Sequence, residues 1–376
     1  MKVCFLLTHV PDPRINRRIG VFRELTEAEV ICTRRKSQDI WEPALKDIKH
    51  TILDIDLPGS KHLARRFFAS LYYKKRAMEE LKKCSPDVIY TDGLDTLQTA
   101  NAYKNLKPEV KIIYEAADLR ESYIEQPENL WERITGSLIR NAEKKGFRGV
   151  EYVALTSRMF FEKHYVHLIS EDRVIYVPNM PDPEVFACFK KKEEGPFTVG
   201  FIGGIRYLAQ MKMLVDAAEE AGCKVLFAGA GGTSEEYVQI SEYCRGKEFV
   251  SFTGKYDYNS DIAELYGSVD CVYAVYNADN ANVRIALPNK LYESVLCCLP
   301  IIVAKNTYLS RIVEEWGVGV SVGHKDKEEL TGVLKKLALK DRYYRGFTEQ
   351  CGVHRDEVDP TIYNGQLKAV IRKLII

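Results

Sequence analysis

Gly200-Phe201-Ile202-Gly203-Gly204-Ile205-Arg206, with Lys212 six residues further on, ends an apolar run that starts at Phe197. A short buried strand that breaks on paired glycines and leads into an amphipathic segment is a βα unit. The same alternation recurs along almost the whole chain, which predicts parallel sheets covered by helices on both faces. Working outward from this unit, the second half offers strands at 197–202, 224–229, 248–253, 270–276, 299–304 and 318–322. The first half offers 2–8, 28–33, 87–91, 111–115, 151–156 and 173–177. Six strands in each half predict two doubly wound, Rossmann-like domains in tandem. Between them Pro178-Asn179-Met180-Pro181-Asp182-Pro183 and the charged run Lys190 to Glu194 read as a linker over 178–196. The expected division is an N-terminal domain at 1–177, a C-terminal domain at 197–355 and a final helix at 356–376. Its apolar face (Ile362, Leu367, Val370, Ile371, Leu374, Ile375) must dock somewhere rather than trail as a tail.

The chain has 376 residues, 46% of them apolar and 28% charged, with a net charge of +1. That length suits two domains, and no stretch approaches the run of apolar residues that spans a bilayer. The start, Lys2 to Leu7, reads as a first buried strand rather than a secretory leader. Ten cysteines without a CxxC pair point to reduced thiols and a cytoplasmic location. Residues 1–180 hold 30 Lys+Arg against 26 Asp+Glu, and the excess sits in one segment, 61–83, with eight Lys+Arg and two Glu. There Leu63, Phe67, Phe68, Leu71, Tyr72, Met78 and Leu81 interleave with basic residues at helical spacing. One reading is a helix on an anionic membrane surface at the inner face, and the competing one is a core-facing helix with a solvated basic back. Nucleic acid is not expected as a partner, because the rest of that half is slightly acidic.

Glycines after a strand let backbone amides approach a phosphate, and Arg206 and Lys212 add two cations, a set suited to a diphosphate; the competing reading of this segment alone is a tight βα turn with basic residues on the surface. Gly-x-x-Gly-Gly is not the spaced nicotinamide fingerprint. Gly229-Ala230-Gly231-Gly232 follows another strand end and would shape a loop around a nucleotide base, with a plain turn as the competing reading. Further on, Leu287-Pro288-Asn289-Lys290-Leu291-Tyr292-Glu293 opens a helix that leads to the strand at 299–304, placing Glu293 where a carboxylate could accept both ribose hydroxyls. His9 follows the first strand; His164 and His167 lack a third ligand, and no metal site is expected.

Arg206 and Lys212 at this spacing, with Pro288-Asn289-Lys290-Leu291-Tyr292-Glu293 before a strand of the Pro-Ile-Ile-Val type, resemble the donor site of retaining GT-B glycosyltransferases, glycosyltransferase family 4 in particular. Asp12-Pro13-Arg14-Ile15, Leu94-Asp95-Thr96-Leu97 and Val177-Pro178-Asn179 match patterns of polysaccharide-assembly members. The resemblance implies a GT-B fold whose two domains face a cleft, with an acceptor-binding N-terminal domain, a sugar-nucleotide-binding C-terminal one and the final helix at 356–376 crossing back to pack on the first. It implies metal-independent transfer, with retention, of a hexosyl or N-acetylhexosaminyl group from a nucleoside-diphosphate sugar to a glycan or lipid-linked acceptor. A UDP-sugar is the expected donor substrate, and no further cofactor is expected. Donor contacts would come from Gly203, Gly204, Arg206, Lys212, Gly229, Gly231, Asn289, Lys290 and Glu293, and acceptor contacts from His9, Arg14, Asp92 and Asp95. Arg206 and Lys212 would stabilise the leaving diphosphate, with Glu115 and Asp118 as polar groups near the reacting centre. Two departures stand out. Ala117 occupies the place of the family's usual His in Tyr114-Glu115-Ala116-Ala117-Asp118, and Ile285 that of its second Glu. They motivate an alternative, a nucleotide-binding pseudo-glycosyltransferase subunit without transfer activity.

Overall fold

The structure, a computed structural model, describes residues 1–34, 42–57, 63–118, 130–229 and 235–375. The chain divides into two compact units, one made of Met1–Pro178 with Thr361–Ile376 and the other of Asn179–Pro360.

Unit 1 is a seven-stranded sheet in the order β3-β2-β1-β4-β5-β6-β7. Its strands are β1 (Lys2–Leu6), β2 (Glu27–Thr33), β3 (Lys49–Leu53), β4 (Val88–Asp92), β5 (Lys111–Ala116), β6 (Tyr152–Leu155) and β7 (Val174–Tyr176), all parallel. The connections are α1 (Pro13–Arg23), α2 (Leu63–Cys84), α3 (Leu94–Lys104), α4 (Leu130–Gly146) and the single turn α5 (Arg158–Phe160). The sequence expectation of six strands omitted β3. As an edge strand with only Leu53 buried, Lys49-His50-Thr51-Ile52-Leu53 lacks the continuous apolar run of strands covered on both faces.

Unit 2 has the order β10-β9-β8-β11-β12-β13. Its parallel strands are β8 (Thr198–Ile202), β9 (Lys224–Ala228), β10 (Val250–Gly254), β11 (Cys271–Ala274), β12 (Ile301–Ala304) and β13 (Gly319–Val322). Its helices are α6 (Leu208–Ala221), α7 (Glu235–Tyr243), α8 (Tyr258–Gly267), α9 (Ala281–Ile285), α10 (Asn289–Leu296), α11 (Tyr308–Trp316), α12 (Lys327–Ala338) and α13 (Arg342–Val353). In both sheets the strand order reverses beside the first strand, between β1 and β4 and between β8 and β11. Open α/β sheets bind ligands beyond the carboxyl ends of strands at such points.

Two boundaries differ from expectation. The stretch read as a linker packs on unit 2: Phe186 is buried edge-on against Tyr266, and Lys192 pairs with the fully buried Asp270 at 2.7 Å. Residues 355–358 form a 3-10 turn, and the final helix α14 runs Pro360–Ile375. On α14, Leu367 and Ile371 are buried in the core of unit 1 with Phe5, Ile19 and Val30. Tyr363 packs edge-on against Tyr176, and Lys368 pairs with Glu24 at 2.6 Å.

Candidate functional site

In unit 2 the ends of β8 and β9 approach so closely that side chains are excluded. Gly203 N–H donates to the Ala228 carbonyl at 2.7 Å, and a Cβ on Gly229 would collide with the Gly203 carbonyl. Gly203 itself adopts φ +137°, and a Cβ there would meet the Lys290 ammonium at 2.8 Å. Lys290 therefore lies beside the glycine turn. Pro288 caps α10 with an extended backbone, so Lys290 falls in the first turn, where the helix N-terminus adds partial positive charge. The Lys290 side chain is 9% exposed and stands 4.5 Å from the Phe201 ring centroid, with one hydrogen bond, to the Tyr276 hydroxyl at 3.1 Å. No carboxylate among the described residues pairs with it. A buried ammonium without a counterion is costly, and an anionic ligand is the group that would compensate it.

One turn further along α10, Glu293 is buried, and both its oxygens are held by phenols of α8: Tyr258 donates at 2.8 Å and Tyr266 at 2.6 Å. Burial, then the Glu293 charge, pushes the Tyr266 phenol well above its ordinary pKa, so it remains a donor. These tyrosines carry no recognisable sequence signal; they reach Glu293 only through the packing of α8 on α10.

Arg206 and Lys212 have separate surroundings. Arg206 is exposed in the turn after Gly204, just before Tyr207, whose left-handed backbone (φ 61°, ψ 58°) turns the chain into α6. The Lys212 ammonium stands 4.9 Å from the ring centroid of Tyr243 on α7. Asn289 is half-buried at the start of α10, and Gly231 lies outside the described residues.

In unit 1 the Asp12 side chain accepts from Ile15 N–H at 2.8 Å, and Pro13 follows at the first helical position, fixing the start of α1. Arg14 and Arg18, four residues apart on α1, therefore present one face to the end of β5. Arg14 lies 2.7 Å from Glu115, 3.3 Å from Asp92 and 3.6 Å from Asp12; Arg18 lies 3.5 Å from Glu115 and donates to the Val177 carbonyl at 2.6 Å. Tyr90 also donates to Glu115. Burial alone would raise the Glu115 pKa, but Arg14 and Arg18 outweigh it and hold the carboxyl below its ordinary value. His9 stands between Asp12 and Asp92, 3.9 Å from each.

A pocket of about 190 Å³ opens beside this network, lined by Arg14, Asp92, Glu115, Ala117 and Asp118 together with Tyr114, Glu143 and Tyr165. The structure thus joins His9, Arg14, Asp92, Glu115 and Asp118 in one constellation. Asp95 is engaged elsewhere, accepting from Arg66 and from Ser70 on α2. Sequence reading missed Arg18, Tyr90 and Glu143; none sits in a motif, and only the helical spacing of Arg14 and Arg18 hinted at a shared target. No three His, Cys, Asp or Glu side chains among the described residues converge as metal ligands.

The helix α2 turns three of its four aromatic residues outward. Tyr73, Ala77 and Leu81 face the core, whereas Phe67 and Phe68 are 60% and 69% exposed and Leu71 and Tyr72 about half exposed. The core-facing reading of Phe67, Phe68 and Leu71 is thereby corrected: the helix buries the opposite stripe. No helix among the described residues is long and apolar enough to cross a membrane.

Comparison with known proteins bears on both units. The succinoglycan biosynthesis protein ExoL of Rhizobium meliloti is 25% identical over 266 residues, a match covering 67% of this chain and 64% of that protein. The chain thus spans under two thirds of that relative's length. Sucrose-phosphate synthase from Thermosynechococcus elongatus superposes with a TM-score of 0.76 at 13% identity, covering 100% of this chain and 99% of the other. Anabaena Alr3699/HepE in complex with UDP gives 0.73 at 15%, covering 99% and 100%. The fold is therefore that of the GT-B glycosyltransferases, and within it residues 186–351 match the family Glycosyl transferases group 1.

Proposed function

We propose that the protein is a glycosyltransferase that moves a hexosyl or N-acetylhexosaminyl group from a nucleoside-diphosphate sugar to a glycan or lipid-linked acceptor, with retention and without a metal ion. The observation that carries this reading is the buried Lys290 ammonium, unpaired by any described carboxylate and set beside Gly203 at the mouth of β8. Lys290 with Arg206 would grip the diphosphate, the backbone at Gly203, Gly204 and Gly229 would approach it, and Glu293 would exchange a tyrosine partner for the ribose. In the transfer, the acceptor hydroxyl oxygen bonds to the anomeric carbon as the bond from that carbon to the diphosphate oxygen breaks. A phosphate oxygen can take the released proton, and the cations stabilise the charge left on the diphosphate. This chemistry does not require the His that Ala117 replaces. The complexes of Anabaena Alr3699/HepE with UDP and UDP-glucose support a UDP-sugar as donor, and the succinoglycan relative supports polysaccharide assembly.

The reading includes an anionic membrane surface at the inner face as partner. Exposed Phe67, Phe68, Leu71 and Tyr72 with Lys74, Lys75 and Arg76 on one helix support it, and ten unpaired thiols support a cytoplasmic setting. Co-sedimentation should then require anionic vesicles, fall with salt, and drop when Lys74, Lys75 and Arg76 become Ser; equal binding by that variant removes the helix from the account. For the enzyme, calorimetry with UDP-, GDP- and ADP-glucose, followed by an assay for released nucleoside diphosphate, is the test. Binding and turnover of one of them is expected. Binding without turnover on any acceptor would favour a nucleotide-binding subunit, and no binding at all would overturn the reading.

A further inference from the structure

We infer that the two phenols on Glu293 have different tasks: Tyr266 is a positioning residue that holds the carboxylate in place, and Tyr258 is a stand-in that leaves when ribose hydroxyls arrive. The inference deepens the donor half of the proposed function and rests on its reading of Glu293. The helix α8 joins β10 and β11 of one parallel sheet, so it starts beyond the carboxyl ends of the strands and runs back towards their amino ends. Its start is fixed by Asp257, which accepts from the N–H groups of Asn259 and Ser260 at 2.9 and 3.1 Å. Tyr258 therefore stands in the first turn, on the side where open α/β sheets take ligands, and Tyr266 lies about two turns deeper.

Their surroundings differ in the same sense. Tyr266 is wholly buried and donates to Glu293 Oε2 at 2.6 Å. Its ring is met edge-on by Phe186, 5.8 Å away between centroids and itself buried at the end of the turn Pro183–Phe186. A phenol so enclosed has no water to turn to, and breaking its bond would strand a buried donor. Tyr258 is half-buried, and it donates to the other oxygen, Oε1, at 2.8 Å. Its hydroxyl can return to solvent when a ligand displaces it. Tyr258 thus completes the hydrogen bonding of a buried carboxylate, a place that a vicinal pair of ribose hydroxyls can take over. Every ribose that binds must first break that bond, whereas the bond to Tyr266 stays and keeps the carboxylate from swinging.

The test is calorimetry on the full chain with UDP, GDP and ADP, each beside its 2′,3′-dideoxy counterpart. The ratio of the two affinities in a pair reads the ribose contact apart from base and diphosphate. Wild type is expected to prefer the ribose form of at least one pair by about tenfold, the fold-change of a hydrogen bond to a charged group. The two phenylalanine variants should then move that ratio in opposite directions. Tyr258→Phe removes the competitor and should widen it by about threefold, and Tyr266→Phe frees the carboxylate and should narrow it by about the same factor. A merely structural part for either phenol would lower the melting temperature and leave the ratio alone. In a Glu293→Gln background Tyr266→Phe should no longer move the ratio, which ties its effect to that carboxylate. Both variants shifting the ratio the same way, either variant leaving it unchanged, or an undiminished Tyr266→Phe effect in the Glu293→Gln background would overturn the inference while nucleotide binding stands. Binding of no diphosphate, or equal binding within every pair, would overturn the donor reading itself and this inference with it, so the two failures are distinguishable.

Discussion

Lys290 and Glu115 are opposite solutions to burying a charge. Lys290 has its cation in an aromatic setting with one hydroxyl partner, whereas Glu115 has two guanidinium groups and a phenol. Replacing Lys290 with Met keeps the buried stem and removes the charge. Nucleotide-sugar affinity should fall by about 1.5–3 kcal/mol, the worth of a charge-assisted contact, with thermal stability unchanged or raised. Calorimetry and a melting curve read both, and retained affinity would shift the diphosphate contact to Arg206 and Lys212. Glu115→Gln leaves Arg14 and Arg18 short of a counter-charge and should cost about 3–5 kcal/mol near neutral pH. Because the folded pKa of Glu115 is depressed, its contribution is present above the unfolded value of about 4.3 and is lost as pH falls through the folded value. The stability gap between wild type and Glu115→Gln should therefore shrink on acidification below about pH 4; a gap constant down to pH 2 would show that the ion pairs are not its source. The sequence made Glu293 and Lys290 legible because they share one helix after a proline. It hid Tyr258 and Tyr266, whose approach depends on tertiary packing of another helix.

Among the elements, β8 and β9 depend on absent side chains. Gly229→Ala would drive a Cβ into the Gly203 carbonyl, so the strand ends must separate; a lower melting temperature and weaker nucleotide binding should appear together. A melting temperature equal to wild type would mean that the turn relaxes freely. On α2 the expectation is reversed. Phe67→Ser with Phe68→Ser alters rings already in solvent, so urea denaturation should differ from wild type by no more than about 0.5 kcal/mol per substitution. Five of the six strands of unit 2 were readable as apolar runs because helices cover both faces, and the edge strand β10 was readable from the alternation of Val250 and Phe252 with polar residues. β3 was not, since an edge strand with one buried side chain leaves almost no pattern. For α2, helical periodicity was legible but two apolar stripes competed for the core, and only packing chose Tyr73, Ala77 and Leu81.

Across the whole molecule, Asp270 ties segments distant in sequence. Fully buried at the start of β11, it pairs with Lys192 at 2.7 Å and Lys340 at 2.9 Å and accepts from Thr198 N–H at 2.9 Å. Asp270→Asn removes the charge that both lysines pair with; since their side chains keep 20% and 36% exposure, unit 2 stability should fall by about 1.5–3 kcal/mol, the worth of a charge-assisted contact, visible as an earlier melting transition. The proline-rich stretch suggested a free linker because composition shows where the chain turns, not where it then packs. The final helix has a consequence in time. Unit 2 is one continuous stretch, but unit 1 is completed only when Leu367 and Ile371 enter its core. On a ribosome adding about 5–20 residues per second, the sheet of unit 1 would wait roughly 10–40 s for that helix. During this interval its greasy seat lies bare to chaperones, and the later-made unit is the first that can finish folding.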